Sequence, residues 1–332
     1  MLRVLRSRGL RDRLVLRVSG GGPTRVHEAA ASARRVTRSL LLDTSSLAYR
    51  AFFAIPATVT DSRGRPVNAL HGYLDMTARL IAAREPDLAV HVYDADWKPA
   101  PRVAAFEGYK AARQPDPEGL PEQLELLRDV LDALGMPQAE APGWEAEDAI
   151  GAIASRARRS DRVDIVTGDR DLIQLVRDPL VRVLFTLRGV SELQVLDEKG
   201  VMKRFGVPAS RYAEFATLRG DPSDGLPGVR GVGEKTARAL VSAYPSIDAM
   251  LEDAARAQPR RRPVKGSPSL RAKLRDAADY VEAMRSVVPI RADVDVKEWH
   301  PKSDPRRLEE LGERHRLSGP IGRVLAALQA RK

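Results

Sequence analysis

The chain has 332 residues, of which 43% are hydrophobic and 30% charged, with no cysteine and a formal charge of +10. That length suits one large domain or two fused ones, and no run of about 18 apolar residues is present to span a membrane. The lack of cysteine excludes disulfides, thiolate nucleophiles and cysteine–zinc sites, and makes a reducing cytoplasm the natural home. His27, His71, His91, His300 and His315 are scattered and form no HExxH pair. A metal site must then rest mainly on oxygen ligands, which favours magnesium or manganese. The charge is uneven. Residues 1–38 hold ten Arg and two acids, residues 39–225 hold 23 basic and 29 acidic residues, and residues 226–332 hold 22 basic and 14 acidic. A basic total, the mark of a polyanionic partner, hides an acidic middle that metal ligands would explain.

In chain order, residues 1–38 come first: Arg-rich, broken at Ser19-Gly-Gly-Gly-Pro23, without a sustained apolar period. Their composition is that of an organellar transit peptide. A disordered basic tail, or sequence upstream of the true start, is the preferred reading, because residue 39 begins a complete domain without them. Leu40-Leu-Leu42 then reads as a strand ending at Asp43. Residues 68–83 carry Leu70, Leu74, Leu80 and Ile81 at helical spacing, and Leu88–Tyr93 reads as a strand ending at Asp94. Residues 121–134 predict a helix with Leu124, Leu127, Val130, Leu131 and Leu134 on one face, and Glu145–Arg158 predicts another. Val163–Val166 is a strand running into Thr-Gly-Asp169. This alternation predicts an α/β fold with a central, largely parallel sheet and flanking helices. The functional crevice of such sheets lies at the carboxyl ends of the strands. Beyond residue 200 the strand signal fades into short helices, with a basic loop at 259–268.

Acidic residues recur at the predicted element ends: Asp43; Asp94; Glu145, Glu147 and Asp148; Asp169 and Asp171; Asp221 and Asp224. Any one of them could be a helix cap or surface charge. Glu145 and Asp148 share a helix face at a spacing of three, as do Asp221 and Asp224 on a Gly/Pro-rich loop. Packed together these carboxylates would repel and partly protonate. Two divalent cations, roughly 3.5–4 Å apart, would resolve that repulsion and could activate water, bind a scissile phosphate and stabilise a leaving oxygen.

Five ordered strings carry a resemblance: Asp43-Thr-Ser-Ser-Leu-Ala-Tyr-Arg50, Tyr93-Asp-Ala95, Gly143-Trp-Glu-Ala-Glu-Asp148, Thr167-Gly-Asp-Arg-Asp-Leu172 and Gly220-Asp-Pro-Ser-Asp-Gly-Leu-Pro-Gly228. From about residue 38 to about 290 the chain resembles the bacterial 5′-3′ exonucleases, which are the nuclease domains of family A DNA polymerases and their free-standing relatives, akin to flap endonucleases. The resemblance implies a stand-alone, PIN-like nuclease core with a helical helix-hairpin-helix subdomain. It puts Asp43, Asp94, Glu145, Glu147, Asp169, Asp171 and Asp224 on metal-site positions, with Asp148 and Asp221 as further members. It implies two Mg2+ or Mn2+ ions and a structure-specific 5′-3′ exonuclease and 5′-flap endonuclease of replication and repair. Glu147 replaces an Asp usual in the polymerase-linked domains, which keeps the charge. Gly225 replaces a common Asn, which puts the local loop geometry in question.

Further site residues follow. Leu226–Ala237 looks like a helix-hairpin-helix, in which Gly231 and Gly233 let the backbone approach a phosphate and Lys235 and Thr236 start a helix, often with a monovalent cation such as K+. A tight turn packing two helices is the alternative. Residues 98–117 carry Lys98, Arg102, Lys110 and Arg113; in the resembling family this stretch arches over the active site. Lys110 and Arg113 match its pattern and would steer the scissile phosphate, unless the stretch is an ordinary basic loop. Tyr49 matches a base-stacking position, with a core aromatic as the other reading, and Arg50 beside it would touch phosphate. The expected domains are the tail at 1–38, the nuclease core at 39–200, a DNA-binding subdomain at 201–300 and a C-terminal helical segment at 301–332. The expected partner is DNA with 5′ flaps, nicks, gaps or 5′ ends, RNA-primed ends included, bound by a monomer without membrane contact in the bacterial nucleoid. The rivals are a catalytically silent DNA-binding module and a PIN-like ribonuclease.

Overall fold

The computed structural model of the protein describes residues 36–330. The basic tail, apart from its last three residues, lies outside the described residues. In chain order the elements are β1 Arg38–Asp43, α1 Thr44–Ala54, α2 Asn68–Arg84, β2 Leu88–Tyr93, α3 Ala100–Ala105, α4 Leu120–Leu134, β3 Gln138–Glu140, α5 Ala146–Ser155, β4 Arg162–Thr167, β5 Val181–Arg188 and β6 Glu192–Leu196. There follow α6 Glu198–Phe205, α7 Tyr212–Arg219, α8 Glu234–Ala243, α9 Ile247–Ala255, α10 Pro268–Asp276, α11 Ala278–Met284, β7 Lys297–Trp299, α12 Pro305–Arg314 and α13 Ser318–Gln329.

The seven strands form one sheet in the order β6-β5-β4-β1-β2-β3-β7. The five inner strands are parallel, and β6 and β7 close the edges antiparallel. β1 sits at the centre because Leu40, Leu41 and Leu42 are apolar toward both faces, as a doubly covered parallel strand requires. Leu40 and Leu42 join a core with α1, α2, α4, α12 and α13, whereas Leu41 joins a core with α5 and the helices from α6 to α11. The predicted apolar stripe of α2 is buried, and that of α4 is buried at Leu127, Val130, Leu131 and Leu134.

This topology places the site. β1 pairs with β2 on one side and β4 on the other, so the strand order reverses at β1. Loops leaving neighbouring strands in opposite directions open a crevice at their carboxyl ends. Asp43 ends β1, Asp94 follows β2 and Asp169 follows β4. Three points differ from the sequence-based expectation. The helix expected from Glu145 starts at Ala146, with Glu145 as its N-cap residue. The region after 200, read as purely helical, contributes the three-residue edge strand β7. Residues 98–117 hold one six-residue helix, α3, followed by turns that pack against the site. No helix among the described residues is long and apolar enough to cross a membrane.

Candidate metal centre

The carboxylates at the strand ends are held by nearby backbone N–H groups and by Thr167. Asp43 ends β1 and caps α1, its Oδ1 accepting the Ser46 N–H at 3.3 Å, while Oδ2 accepts the Thr167 hydroxyl at 2.6 Å. Thr167 Oγ1 in turn accepts the Asp169 N–H at 2.8 Å, and Asp169 Oδ1 accepts the Asp171 N–H at 2.9 Å. One chain of hydrogen bonds thus spaces three acids across the β1–β4 gap. Asp94 Oδ1 accepts the Ala146 N–H at 2.7 Å, at the start of α5, where the helix dipole favours anions. The first turn of that helix brings Glu147 and Asp148 beside the capping Glu145.

The acids from α5 meet a buried cation. Arg102, with no solvent exposure, reaches Glu145 through Nη1, and through Nη2 it contacts Glu147 and Asp148, both at 2.9 Å. Asp148 also accepts the Arg291 N–H at 2.9 Å. Glu145 takes the Tyr109 hydroxyl at 2.6 Å and the Lys110 ammonium. Lys110 Nζ lies 3.8 Å from Asp224, and its backbone N–H donates to the Asp224 carbonyl at 2.9 Å. Lys110 itself has φ +49, an uncommon conformation for a side-chain-bearing residue that is found preferentially at functional sites. Asp221 is turned into its own loop, accepting the Ser223 N–H at 3.0 Å and facing Arg219 at 3.6 Å.

So many anions in one cleft disfavour one another's charge. Burial, and then the Asp94 charge, pushes the Asp43 carboxyl up to about 7. Burial, partly offset by Lys110, pushes Asp224 up to about 6. Asp94, Glu147, Asp148, Asp169 and Asp171 are all raised, with desolvation the largest cause in each. Asp169 reaches solvent within the cleft, so for it desolvation comes from the surrounding walls rather than from full enclosure. Burial alone would lower the Lys110 ammonium; Glu145 and then Asp224 outweigh it and raise it.

Divalent cations fit this donor set. Glu145, Glu147 and Asp148 each offer an oxygen within 4.8 Å of the others, and Asp148 Oδ2 is buried without a hydrogen-bond partner. An all-oxygen, strongly anionic set suits Mg2+ or Mn2+. Arg102 takes one oxygen each of Glu145, Glu147 and Asp148, and Lys110 takes the second oxygen of Glu145, which leaves Asp148 Oδ2 as the free buried acceptor. The burial of Arg102 was invisible in the sequence, where it reads as one more cation of a basic stretch. Thr167 was visible only as a member of its string, and Tyr109 only as the neighbour of Lys110.

The cleft holds a cavity of about 760 Å3 lined by Asp43, Asp94, Glu145, Glu147, Asp169, Lys110 and Arg113. Tyr49 lines it too and is 43% exposed, which excludes the core reading. Arg50 donates to the Gly168 carbonyl at 3.0 Å, and a Cβ on Gly168 would overlap its guanidinium, so Gly168 is glycine to admit Arg50. Gly225 has φ +72, and a Cβ there would overlap the Gly108 carbonyl oxygen. The departure from Asn therefore suits this loop, which packs tightly on the segment carrying Lys110. Gly231, Gly233, Lys235 and Thr236 do not line this cavity. Gly231 and Gly233 lie between α7 and α8, on the same connection as Asp221 and Asp224, with Gly231 at φ +70 beside the Lys273 ammonium, and Lys235 and Thr236 lie in the first turn of α8.

Comparison with known proteins agrees with this geometry. Residues 38–206 match the family description "5′-3′ exonuclease, N-terminal resolvase-like domain", and residues 207–307 match "5′-3′ exonuclease, C-terminal SAM fold". A 5′-3′ exonuclease of Mycobacterium tuberculosis is 40% identical over 314 residues, covering 87% of this chain and 97% of that protein. One from Streptomyces coelicolor is 41% identical over 311 residues, covering 88% and 100%. The fold is shared with the bacteriophage T5 D15 flap endonuclease, solved as a pseudo-enzyme–product complex with DNA and metal ions, at a TM-score of 0.59 and 15% identity over 88% of this chain and 99% of that one.

Proposed function

The chain belongs to the 5′-3′ exonuclease family, and from that premise we propose that it hydrolyses DNA phosphodiester bonds at 5′ ends and 5′ flaps by a two-metal mechanism. One observation carries this reading: the strand ends and the start of α5 bring Asp43, Asp94, Glu145, Glu147 and Asp169 to one cleft that Lys110 and Arg113 also line, with Asp224 of the α7–α8 connection 3.8 Å from Lys110. Two Mg2+ or Mn2+ ions, when bound, would supply the Lewis acidity that activates water and neutralises the leaving oxygen.

The chain's own residues divide the remaining work. Asp43, Asp94, Glu145, Glu147, Asp169, Asp171 and Asp224 would hold the ions through their carboxylate oxygens. Asp148 and Asp221 stand one step back, held by Arg102 with the Arg291 N–H and by Arg219 with Ser223. Lys110 and Arg113 neutralise the scissile phosphate and align it for attack. Tyr49 stacks on a base and Arg50 fixes the Gly168 turn beside the phosphate path. The glycine hairpin with Gly231, Gly233, Lys235 and Thr236 grips duplex backbone, aided by a monovalent cation such as K+, so binding weakens with salt. Flap and primer removal in replication and repair, at the bacterial nucleoid, is the process this chemistry serves.

The test is a 5′-flap duplex labelled at either end, incubated with Mg2+ or with chelator, and products sized at nucleotide resolution. Metal-dependent release of nucleotides or short flaps is expected. Binding without cleavage would identify a silent DNA-binding protein. Cleavage of single-stranded RNA in preference to flap DNA would identify a PIN-like ribonuclease.

A further inference from the structure

Two large aromatic side chains stand in water at the acidic cleft. Phe53 on α1 is 63% exposed, and Trp97, in the connection from β2 to α3, is 41% exposed; both line the cavity that holds Asp43, Asp94 and Asp169. Leaving aromatic faces in solvent forgoes burial, and a tolerated exposed aromatic beside a charged cleft marks a surface that something covers.

Each ring is braced. Tyr49 packs on Phe53 at 4.9 Å between centroids, tilted by 55°, and Phe52 meets it edge-on at 5.3 Å. The Arg113 guanidinium lies 5.6 Å from the Trp97 ring centre. Trp97 also accepts the Lys110 ammonium on its backbone carbonyl at 3.3 Å. One residue therefore touches both cations that face the phosphate: Arg113 through its ring and Lys110 through its backbone. Flat apolar faces beside fixed cations match an unpaired nucleotide, whose base stacks while its phosphate is neutralised. An aliphatic protein segment would gain nothing from the flanking carboxylates and cations.

We propose that Trp97, backed by Arg113, and Phe53, braced by Tyr49, are stacking platforms for unpaired bases next to the scissile phosphate. They set the preference of the enzyme for 5′ ends that carry single-stranded nucleotides over fully paired 5′ ends. The inference rests on the nuclease reading above. Stacking tolerates any base, so the preference is for strandedness and not for sequence.

The experiment compares two substrates that share one duplex, a 5′ flap and a nick with a paired 5′ end, under single-turnover conditions. Trp97→Leu and Phe53→Leu are each expected to lower kcat/KM on the flap at least about tenfold more than on the nick, the scale of one lost stacked base. Trp97→Phe should retain most of the flap preference. In parallel, a short oligodeoxythymidylate is titrated in chelator while tryptophan fluorescence is followed. Quenching is expected in the wild-type chain and its loss in Trp97→Phe, since Trp144 and Trp299 remain in both. Equal effects on the two substrates, or quenching that survives in Trp97→Phe, would overturn the proposal. If the wild-type chain cuts neither substrate with Mg2+ or Mn2+, the nuclease reading fails, and the fluorescence titration alone decides whether bases stack on Trp97.

Discussion

Gly225 lies directly beneath the carbonyl of Gly108, so close that a Cβ on Gly225 would overlap the Gly108 oxygen. At φ +72 a side chain there would be strained even without that clash. The contact joins the Asp224 loop to the turn that presents Lys110, whose N–H bonds the Asp224 carbonyl at 2.9 Å. Gly225→Ala should part the two segments and displace Lys110 from Glu145 and Asp224. The expected result is cleavage slowed at least about tenfold, roughly 1.4 kcal/mol, with duplex affinity little changed. Single-turnover cleavage and equilibrium binding on one flap substrate check both halves.

Arg102 should be indispensable although it reaches no solvent. Removing it leaves Glu145, Glu147 and Asp148 facing one another with one cation fewer. Breaking a buried ion pair from one side costs about 3–5 kcal/mol. Arg102→Met is expected to lower the unfolding free energy by an amount in that range and to abolish cleavage. Arg102→Lys, which keeps the charge but not the fork, should recover stability more than activity. Equal stability of Arg102→Met and the wild-type chain in urea would refute this assignment.

Asp169→Asn should remove cleavage and leave DNA binding intact or tighter. Asp169 stands on the turn after β4, in the hydrogen-bonded series that also holds Asp43 and Asp171. Asn keeps the shape and can still accept the Asp171 N–H, but it takes one anionic ligand from the metals and lessens repulsion of phosphate. Residual cleavage above about a tenth of the wild-type rate would mean that Asp169 is not a ligand.

How far the site was legible in the sequence depends on the kind of contact. β1, α2 and β2 could be placed because Leu40–Leu42, the α2 stripe and Leu88–Tyr93 carry local periodicity, and the acids could be placed because they end those elements. β3 and β7, three residues each, are too short for a period and exist only through pairing with each other and with β2. The ion-pair knot of Arg102 joins positions 43 to 46 residues apart, and nothing local distinguishes a buried arginine from a phosphate-facing one. Gly225 was legible as a departure, but its reason lies in Gly108, 117 positions away.

Asp61, in the connection from α1 to α2, is buried within its own loop. Burial would raise the Asp61 carboxyl, but the N–H groups of Arg65 and Arg63 and the Arg65 guanidinium outweigh it and hold it well below the usual range. A carboxyl depressed in the folded state adds stability above its unfolded pKa of about 3.9, and loses it as pH falls toward its folded value. Asp61→Asn should therefore destabilise by roughly 2–3 kcal/mol at pH 6. The difference from the wild-type chain should shrink steadily below about pH 4. Urea unfolding at a series of pH values reads it out; a difference that stays constant down to pH 2 would show that the Asp61 charge is not the cause.

Lys110 sits in the cleft against Glu145 and Asp224, whereas Gly233 lies on the α7–α8 hairpin away from the cavity. A contact that matters mainly in the transition state changes the turnover of bound substrate more than its affinity, and a duplex anchor does the reverse. Gly233 is the cleaner hairpin probe. It has an ordinary φ of −85, and a Cβ there meets nothing within 4 Å, so Gly233→Val should fold normally. Gly231 would confuse the result, because φ +70 and the Lys273 ammonium 2.6 Å from a Cβ make any side chain strained. Gly233→Val is thus expected to keep the thermal midpoint and weaken duplex binding, since its side chain projects where phosphate backbone must approach. Lys110→Ala should slow single-turnover cleavage at saturating enzyme at least about tenfold, or about 1.4 kcal/mol, with a smaller change in affinity. Both variants are measured on the same flap substrate by binding and by single turnover. If Lys110→Ala altered only affinity and Gly233→Val only the bound rate, the cleft would be the anchor and the hairpin the positioning device, and the division of labour assigned to them would be reversed.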